Sequence, residues 1–157
     1  MKRIFALVSI LVIALDQYTK YVVKTSYMPD ESRIIIPHAL WFTYVQNQHG
    51  AFGLFGSHPL VLAALASVVL ISFFIWYRQE RGGWGTHVAF ALILGGAVGN
   101  ILDRVRLGYV VDFVDLHWFP VFNVADSCIT IGVCLLLLRM LIHERSASSE
   151  SEPKAAE

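Results

Sequence analysis

Charge is what this chain has least of. Asp, Glu, Lys and Arg make up 15% of its 157 residues while 56% are hydrophobic, against about 25% charged and about 45–50% apolar in ordinary soluble domains. A soluble core cannot hide that much apolar surface, so a membrane-embedded chain is expected. Nor is there a surplus of either sign. Twelve Lys+Arg cancel twelve Asp+Glu, which removes the basic excess that nucleic-acid binding requires. Cysteine is limited to Cys128 and Cys134, in neither a CxxC nor a Cys/His spacing, and both read as packing residues. The six histidines stand singly without an HExxH pattern, so no metal site is expected. A mean hydropathy of +0.59 excludes disorder over most of the length.

What is present is long apolar runs. A span needs about 20 mostly apolar residues, and four stretches qualify: residues 4–23, 59–77, 84–102 and 119–142. A soluble helical bundle would need polar outer faces, which the second stretch lacks entirely. Met1-Lys2-Arg3 before an apolar run resembles a signal peptide. No small-residue cleavage site follows Leu15, however, and the helix is expected to be retained. An N-terminus in the cytoplasm puts Lys2, Arg3, Arg78, Arg81, Arg139, Arg145 and Lys154 inside, in weak accord with the positive-inside rule. Four spans then return the C-terminus to the cytoplasm. The fold class is therefore an all-α integral membrane protein with a single four-helix domain over residues 1–143.

Residues 27–57, between the first two spans, carry Arg33–Ile36 and Leu40–Val45, two short β-branched and aromatic runs parted by Pro37-His38. They predict a small extracytoplasmic β-sheet. Trp41, Phe42 and Tyr44, with Trp84 and Trp118, suit the membrane–water interface. Gly50–Phe55 reads as a short half-embedded helix or loop. The Ser/Glu-rich stretch 144–157 reads as a disordered cytoplasmic tail.

An ionisable group inside a span costs at least about 2.5–3.5 kcal/mol at the bilayer centre, so it marks a functional site by default. Asp16, Asn100, Asp103, Arg104, Asp112, Asn123 and Asp126 all fall at span ends that the four-span arrangement puts on the outer side. Asn100, Asp103 and Arg104 share one helix face at i, i+3 and i+4, as do Asn123 and Asp126 at i, i+3. Each has a structural alternative: a polar knot for Asp103, a turn carboxylate for Asp112, and a helix cap for Asn123 and Asp126. Two carboxylates brought together at the edge of a low-dielectric medium share a proton and so supply a general base and a general acid. Asp103, beside Arg104, is expected to be salt-bridged and so poorly suited to share one. Asp112, in an extended segment, is free to approach Asp126. Asp16 and Lys20 form an i, i+4 pair with the acid first, the favourable order.

The stretch from Asp16 to about Leu138 resembles lipoprotein signal peptidase, or signal peptidase II, the bacterial membrane aspartyl protease family. The matching motifs are Asp16-Gln-x-x-Lys20, Asn47 with Ala51-Phe52-Gly53, Gly95-Gly96-Ala97-x-Gly99-Asn100-x-x-Asp103-Arg104, Gly108-x-Val110-Val111-Asp112-Phe113, and Phe122-Asn123-x-Ala125-Asp126. One departure is visible. Asn47-Gln-His-Gly-Ala-Phe has His49 and Gly50 where the family has Gly and Ala, and His49 reads as an interfacial residue. The resemblance implies an outer-leaflet site in the bacterial inner membrane, with both termini cytoplasmic. That site would cut prolipoproteins just before a cysteine bearing a diacylglyceryl group. It implies Asp112 and Asp126 as the catalytic dyad, Asn47, Asn100, Asp103, Arg104 and Asn123 as site-lining, and Asp16 and Lys20 as structural support. It implies no cofactor and no metal. The partners it implies are diacylglyceryl-modified prolipoproteins, membrane lipid and cyclic peptide inhibitors such as globomycin, acting on a monomer.

The competing class is a small proton-coupled carrier or channel subunit with Asp16, Asp103 and Asp126 as a relay. A carrier needs carboxylates across the membrane depth. The second span and the inner halves of the others have none.

Overall fold

A computed structural model describes residues 2–48, 58–79 and 83–150. The Gly50–Phe55 segment, with His49 and the Ala51-Phe52-Gly53 motif, lies outside the described residues. The elements run α1 (Lys2–Ser26), β1 (Ser32–Ile36), β2 (Leu40–Asn47), α2 (Pro59–Gln79), α3 (Trp84–Leu107), β3 (Val110–Asp115) and α4 (Val124–Glu150). Among the described residues, three helical segments, Arg3–Ser26, Trp84–Leu107 and Val124–Ile142, are long and apolar enough to cross a membrane; the apolar stretch in α2 is the shorter Leu60–Ser72. Leu7, Leu11 and Leu15 on α1, Val68 and Val69 on α2, and Leu137, Leu138 and Leu141 on α4 all face outward. An apolar outer surface of this kind is solvated by lipid, and the chain is a multi-pass membrane protein.

Small residues set the helix packing. A Cβ on Gly95 would stand 2.9 Å from the Ser9 carbonyl and 2.7 Å from the Val12 side chain, and one on Gly99 would stand 2.5 Å from Asp16 Oδ2. Contacts that advance together in number make α1 and α3 parallel. A Cβ on Gly96 would meet the Ala125 carbonyl, one on Gly132 the Ala89 carbonyl at 2.7 Å, and one on Gly85 the Arg139 guanidinium. Those contacts run in opposite order, so α4 is antiparallel to α3. Small residues that let backbones approach closely are the usual means of helix association in lipid.

At one end of this bundle sits the sheet, in the order β1-β2-β3 with both pairings antiparallel. Two of its strands are the pair expected from residues 33–45. The third comes from the chain between α3 and α4. Gly108, left-handed at φ 81°, ends α3 with its N–H donating to the Arg104 carbonyl at 3.2 Å, which turns the chain straight into Val110-Val111. Val23, Tyr44, Val111 and Phe113 form the buried cluster that fastens the sheet to the end of α1. β3 is thereby held between β2 and the bundle, and Val110 to Phe113 are all buried.

Two expected boundaries move. The fourth helix begins at Val124 rather than near Phe119, because Phe122 pairs with Val114 through backbone hydrogen bonds at 2.7 and 3.1 Å and Pro120 precedes it. At the other end, α4 stays helical to Glu150, into the stretch expected as a disordered tail. Glu144, Arg145 and Ala147 are good helix formers, and no Gly or Pro interrupts before Pro153.

Candidate active site

Two polar layers stack where α1, α3 and α4 meet β3. The deeper is ionic. Lys20 Nζ lies 2.9 Å from Asp16 Oδ2 and 2.9 Å from Asp103 Oδ2, and donates to Asn100 Oδ1 at 2.8 Å. Asp16 Oδ1 accepts the Ala125 N–H at 3.0 Å, which ties α1 to the first turn of α4. Asp103 Oδ2 accepts the Val111 N–H at 3.1 Å, which ties α3 to β3. The Gln17 amide donates to Asp16, to the Gly99 carbonyl and to Asp103 at 3.0–3.3 Å. A buried charge is tolerated when it is paired and its remaining valences are met, and both conditions hold here. Among the described residues no buried polar side-chain atom lacks a partner.

This arrangement corrects one expectation. Asp103 is ion-paired, but with Lys20 across the bundle rather than with its neighbour Arg104. Successive helix residues point about 100° apart, so adjacency in sequence does not bring the two side chains together. Arg104 donates instead to the Asn100 carbonyl at 3.4 Å, half-buried on the side where Asp112 and Asp126 also feel its charge.

The second layer holds Asp112 and Asp126. Asp112 is 2% exposed. Its Oδ1 accepts from Asn123 Nδ2 at 2.6 Å and its Oδ2 from Asn47 Nδ2 at 2.8 Å. Asn47 reaches it from the end of β2, where Asn47 pairs with Val110 and Val45 with Asp112. Asp126 Oδ1 accepts from Asn100 Nδ2 at 2.7 Å, and Asn123 Nδ2 also donates to Asn100 Oδ1 at 3.1 Å. Two amides thus connect the two carboxylates. Burial, and after it the charge of Asp126, push the Asp112 carboxyl up to about 7, against the opposing pull of the Asn47 and Asn123 amides and of Lys20.

Asn123 and Asp126 have a further relation. The Asp126 N–H donates to Asn123 Oδ1 at 3.0 Å, and the Asn123 N–H donates to Asp126 Oδ2 at 3.3 Å. This reciprocal pair is a capping box at the start of α4. The capping alternative for these two residues is therefore realised together with their approach to Asp112. An apolar run that continues back to Phe119 conceals it, since hydropathy does not locate the first helical residue. The structure brings Asn47, Asn100, Asp112, Asn123 and Asp126 into one hydrogen-bonded group, with Asp16, Lys20 and Asp103 directly beneath. Gln17 and the Ala125 and Val111 N–H groups are the members that sequence reasoning missed. Gln17 stands beside Asp16 in a span and was open to the same cost argument, whereas backbone donors leave no sequence signal.

A family model described as "Signal peptidase (SPase) II" matches residues 8–142. A lipoprotein signal peptidase from Moorella thermoacetica is 41% identical over 139 residues, 88% of this chain and 93% of that protein. One from Caldanaerobacter subterraneus is 44% identical over 129 residues, 80% and 87% of the respective chains. Among solved structures, a bacterial membrane enzyme determined at 2.3 Å by the in meso method superposes with a TM-score of 0.84 at 32% identity, covering 98% of this chain and 94% of its own.

Proposed function

The chain belongs to the signal peptidase II family, and from that premise we infer that it is a membrane aspartic endopeptidase that removes signal peptides from lipoprotein precursors. Asp112 and Asp126 are the pair we assign to the chemistry. The observation that carries this assignment is the bridged pair itself: a buried carboxyl raised to about 7 by burial and by Asp126, linked to Asp126 through Asn123 and Asn100.

At neutral pH such a pair holds about one proton between two carboxylates. The ionised member takes a proton from water as the water oxygen attacks the scissile carbonyl carbon, and the protonated member gives its proton to the carbonyl oxygen. The tetrahedral diol then collapses. The member now ionised takes a proton from one diol hydroxyl as the carbonyl re-forms and the C–N bond breaks, and the other member gives its proton to the departing amine, which restores the pair to its starting state. Asp126 accepts two N–H donors at the positive end of α4, which suits the member that starts ionised. Asp112 is then the member that starts protonated.

The remaining assignments are proposals of the same kind. Asn47, Asn100, Asn123 and Arg104 line the site, and Asp16, Lys20 and Asp103 support it. Residues 1–143 form one domain with four spans, both termini are cytoplasmic, and the sheet and dyad lie at the outer face. The protein acts as a monomer, without cofactor, on precursors carrying a diacylglyceryl cysteine, and cyclic peptides of the globomycin type compete for the same cleft. A carrier would need a proton path across the membrane. The buried carboxylates among the described residues all gather at the sheet end of the bundle, which gives such a path nothing to run along.

The test is direct. The purified chain, incubated with a diacylglyceryl-modified prolipoprotein, releases the signal peptide, and the unmodified precursor is a poor substrate. Equal cleavage of both would remove the lipid requirement but leave the peptidase. Release of neither would remove the peptidase.

A further inference from the structure

Lys20 makes three polar contacts, and its two carboxylates already account for its charge. The third contact has a separate consequence. Asn100 presents Oδ1 to two donors, Lys20 Nζ at 2.8 Å and Asn123 Nδ2 at 3.1 Å, while its Nδ2 donates to Asp126 Oδ1 at 2.7 Å. An amide side chain has one acceptor end and one donor end. Turning Asn100 over would set its NH2 against an ammonium and against another NH2, and would face its oxygen to a carboxylate. Lys20 is 2% exposed, so no water stands ready to compensate such a turn.

We propose that Lys20 is a positioning residue of the dyad, holding the Asn100 amide in the orientation that donates to Asp126 and leaves Asn123 directed at Asp112. This rests on Asp112 and Asp126 being the catalytic pair. Lys20 sits on α1 and touches neither carboxylate of the pair; it acts through Asn100. The charged groups around this relay are Asp16 from α1, Asp103 and Arg104 from α3, Asp112 from β3 and Asp126 from α4. The Lys20 charge also opposes the rise of the Asp112 carboxyl, so losing it should move the titration of the pair to higher pH.

The experiment compares wild type, Lys20→Met and Lys20→Arg by kcat, KM and the pH dependence of cleavage of a diacylglyceryl-modified prolipoprotein. Lys20→Met should lower kcat at least tenfold with KM changed less than threefold, and should move the falling limb of kcat against pH, which reports loss of the Asp112 proton, upward by half a unit or more. Lys20→Arg, which keeps a cationic donor, should return the limb to the wild-type position even where its rate stays reduced. A folded Lys20→Met protein with unmoved limbs and near-normal kcat overturns the proposal. If Lys20→Met does not accumulate, Lys20→Met/Asp103→Asn removes one buried charge of each sign and is compared with Asp103→Asn alone. A shifted limb specific to the double variant supports the proposal, and coincident profiles overturn it. Asp112→Asn serves as the control for the underlying reading: cleavage by that variant would remove the dyad assignment, whatever the Lys20 variants do.

Discussion

Asp112 is buried by the same contacts that make it useful, and that conflict is measurable. Its carboxyl ordinarily titrates near 3.8 and in the folded protein is raised to about 7. The folded state therefore holds a proton there that the unfolded chain has given up between those values. The contribution to stability is full below about pH 3.8, falls as pH rises toward 7 with a slope on the order of 1.4 kcal/mol per pH unit, and is level above that. Asp112→Asn cannot ionise. The difference in thermal midpoint between Asp112→Asn and wild type, measured in one detergent from pH 4 to 8, should grow in favour of the variant and flatten above about pH 7. A constant difference would mean that Asp112 is not held protonated. The same substitution should abolish cleavage, as should Asp126→Asn. Because the two carboxylates act as one unit, the double variant should be scarcely slower than either single one. Rate against pH in the wild type should be bell-shaped, reporting loss of the first and then the second proton. Efficient cleavage by Asp112→Asn would move the chemistry to Asp103 or Asp115. Asp103 is already tied up by Lys20, Gln17 and the Val111 N–H, and Asp115 by Thr43 and His117.

Helices and strands place these groups through backbone contacts that a sequence reports unevenly. Polar residues in a span are legible one by one, because each has a cost that something must offset; Asp16, Asn100, Asp103, Arg104, Asn123 and Asp126 stand out on that ground, and Lys20 as the i, i+4 partner of Asp16. The third strand was not legible as a sheet member. Val110–Asp115 is short and follows a helix directly, and its pairing with β2 joins residues more than 60 apart. Nor was the first residue of α4, since Phe119, Val121 and Phe122 are as apolar as the helix after them. The Asn123-Val-Ala-Asp126 spacing does mark a helix start once a cap is sought. Glycine spacing in α3 was legible only as part of a motif, although its physical content is distance. A Cβ at Gly99 would stand 2.5 Å from Asp16 Oδ2 and 3.6 Å from the Ala125 Cβ, in the narrow gap where α1, α3 and α4 meet. Gly99→Ala should displace the Asp16 carboxylate from Lys20 and cost on the order of 1–3 kcal/mol, as overpacking does. The expected readout is a lower thermal midpoint and a smaller folded fraction on size-exclusion chromatography. An unchanged midpoint would mean that α1 and α3 can part without loss, and the ionic layer would not be what joins them.

For the whole molecule, the direction of each helix relative to the sheet decides the topology. α1 ends at Ser26 and α3 at Leu107, each leading into a strand of the same sheet, and α4 starts from the loop after β3. The start of α3 at Trp84 therefore lies at the end of the bundle away from the sheet, about 36 Å along a 24-residue helix. β2 finishes at the sheet end. Between Asn47 and Trp84 the chain must travel back the length of the bundle, and α2, 21 residues and about 31 Å long, is the element available for it. The proposed four-span arrangement requires α2 to cross although its apolar stretch, Leu60–Ser72, is short. That proposal puts the sheet on one side of the membrane and Gly83 on the other. Single cysteines at His38, in the exposed turn between β1 and β2, and at Gly83, where a Cβ would find ordinary contact 3.7 Å from Arg139, test it in a background with Cys128 and Cys134 replaced. In intact cells a membrane-impermeant maleimide should label the His38→Cys protein and leave Gly83→Cys unlabelled until the membrane is opened. Labelling of both from outside would mean that α2 does not cross. Labelling of Gly83→Cys alone would keep the four crossings and invert them, putting the dyad on the cytoplasmic side, where it would have no access to precursors exported ahead of cleavage.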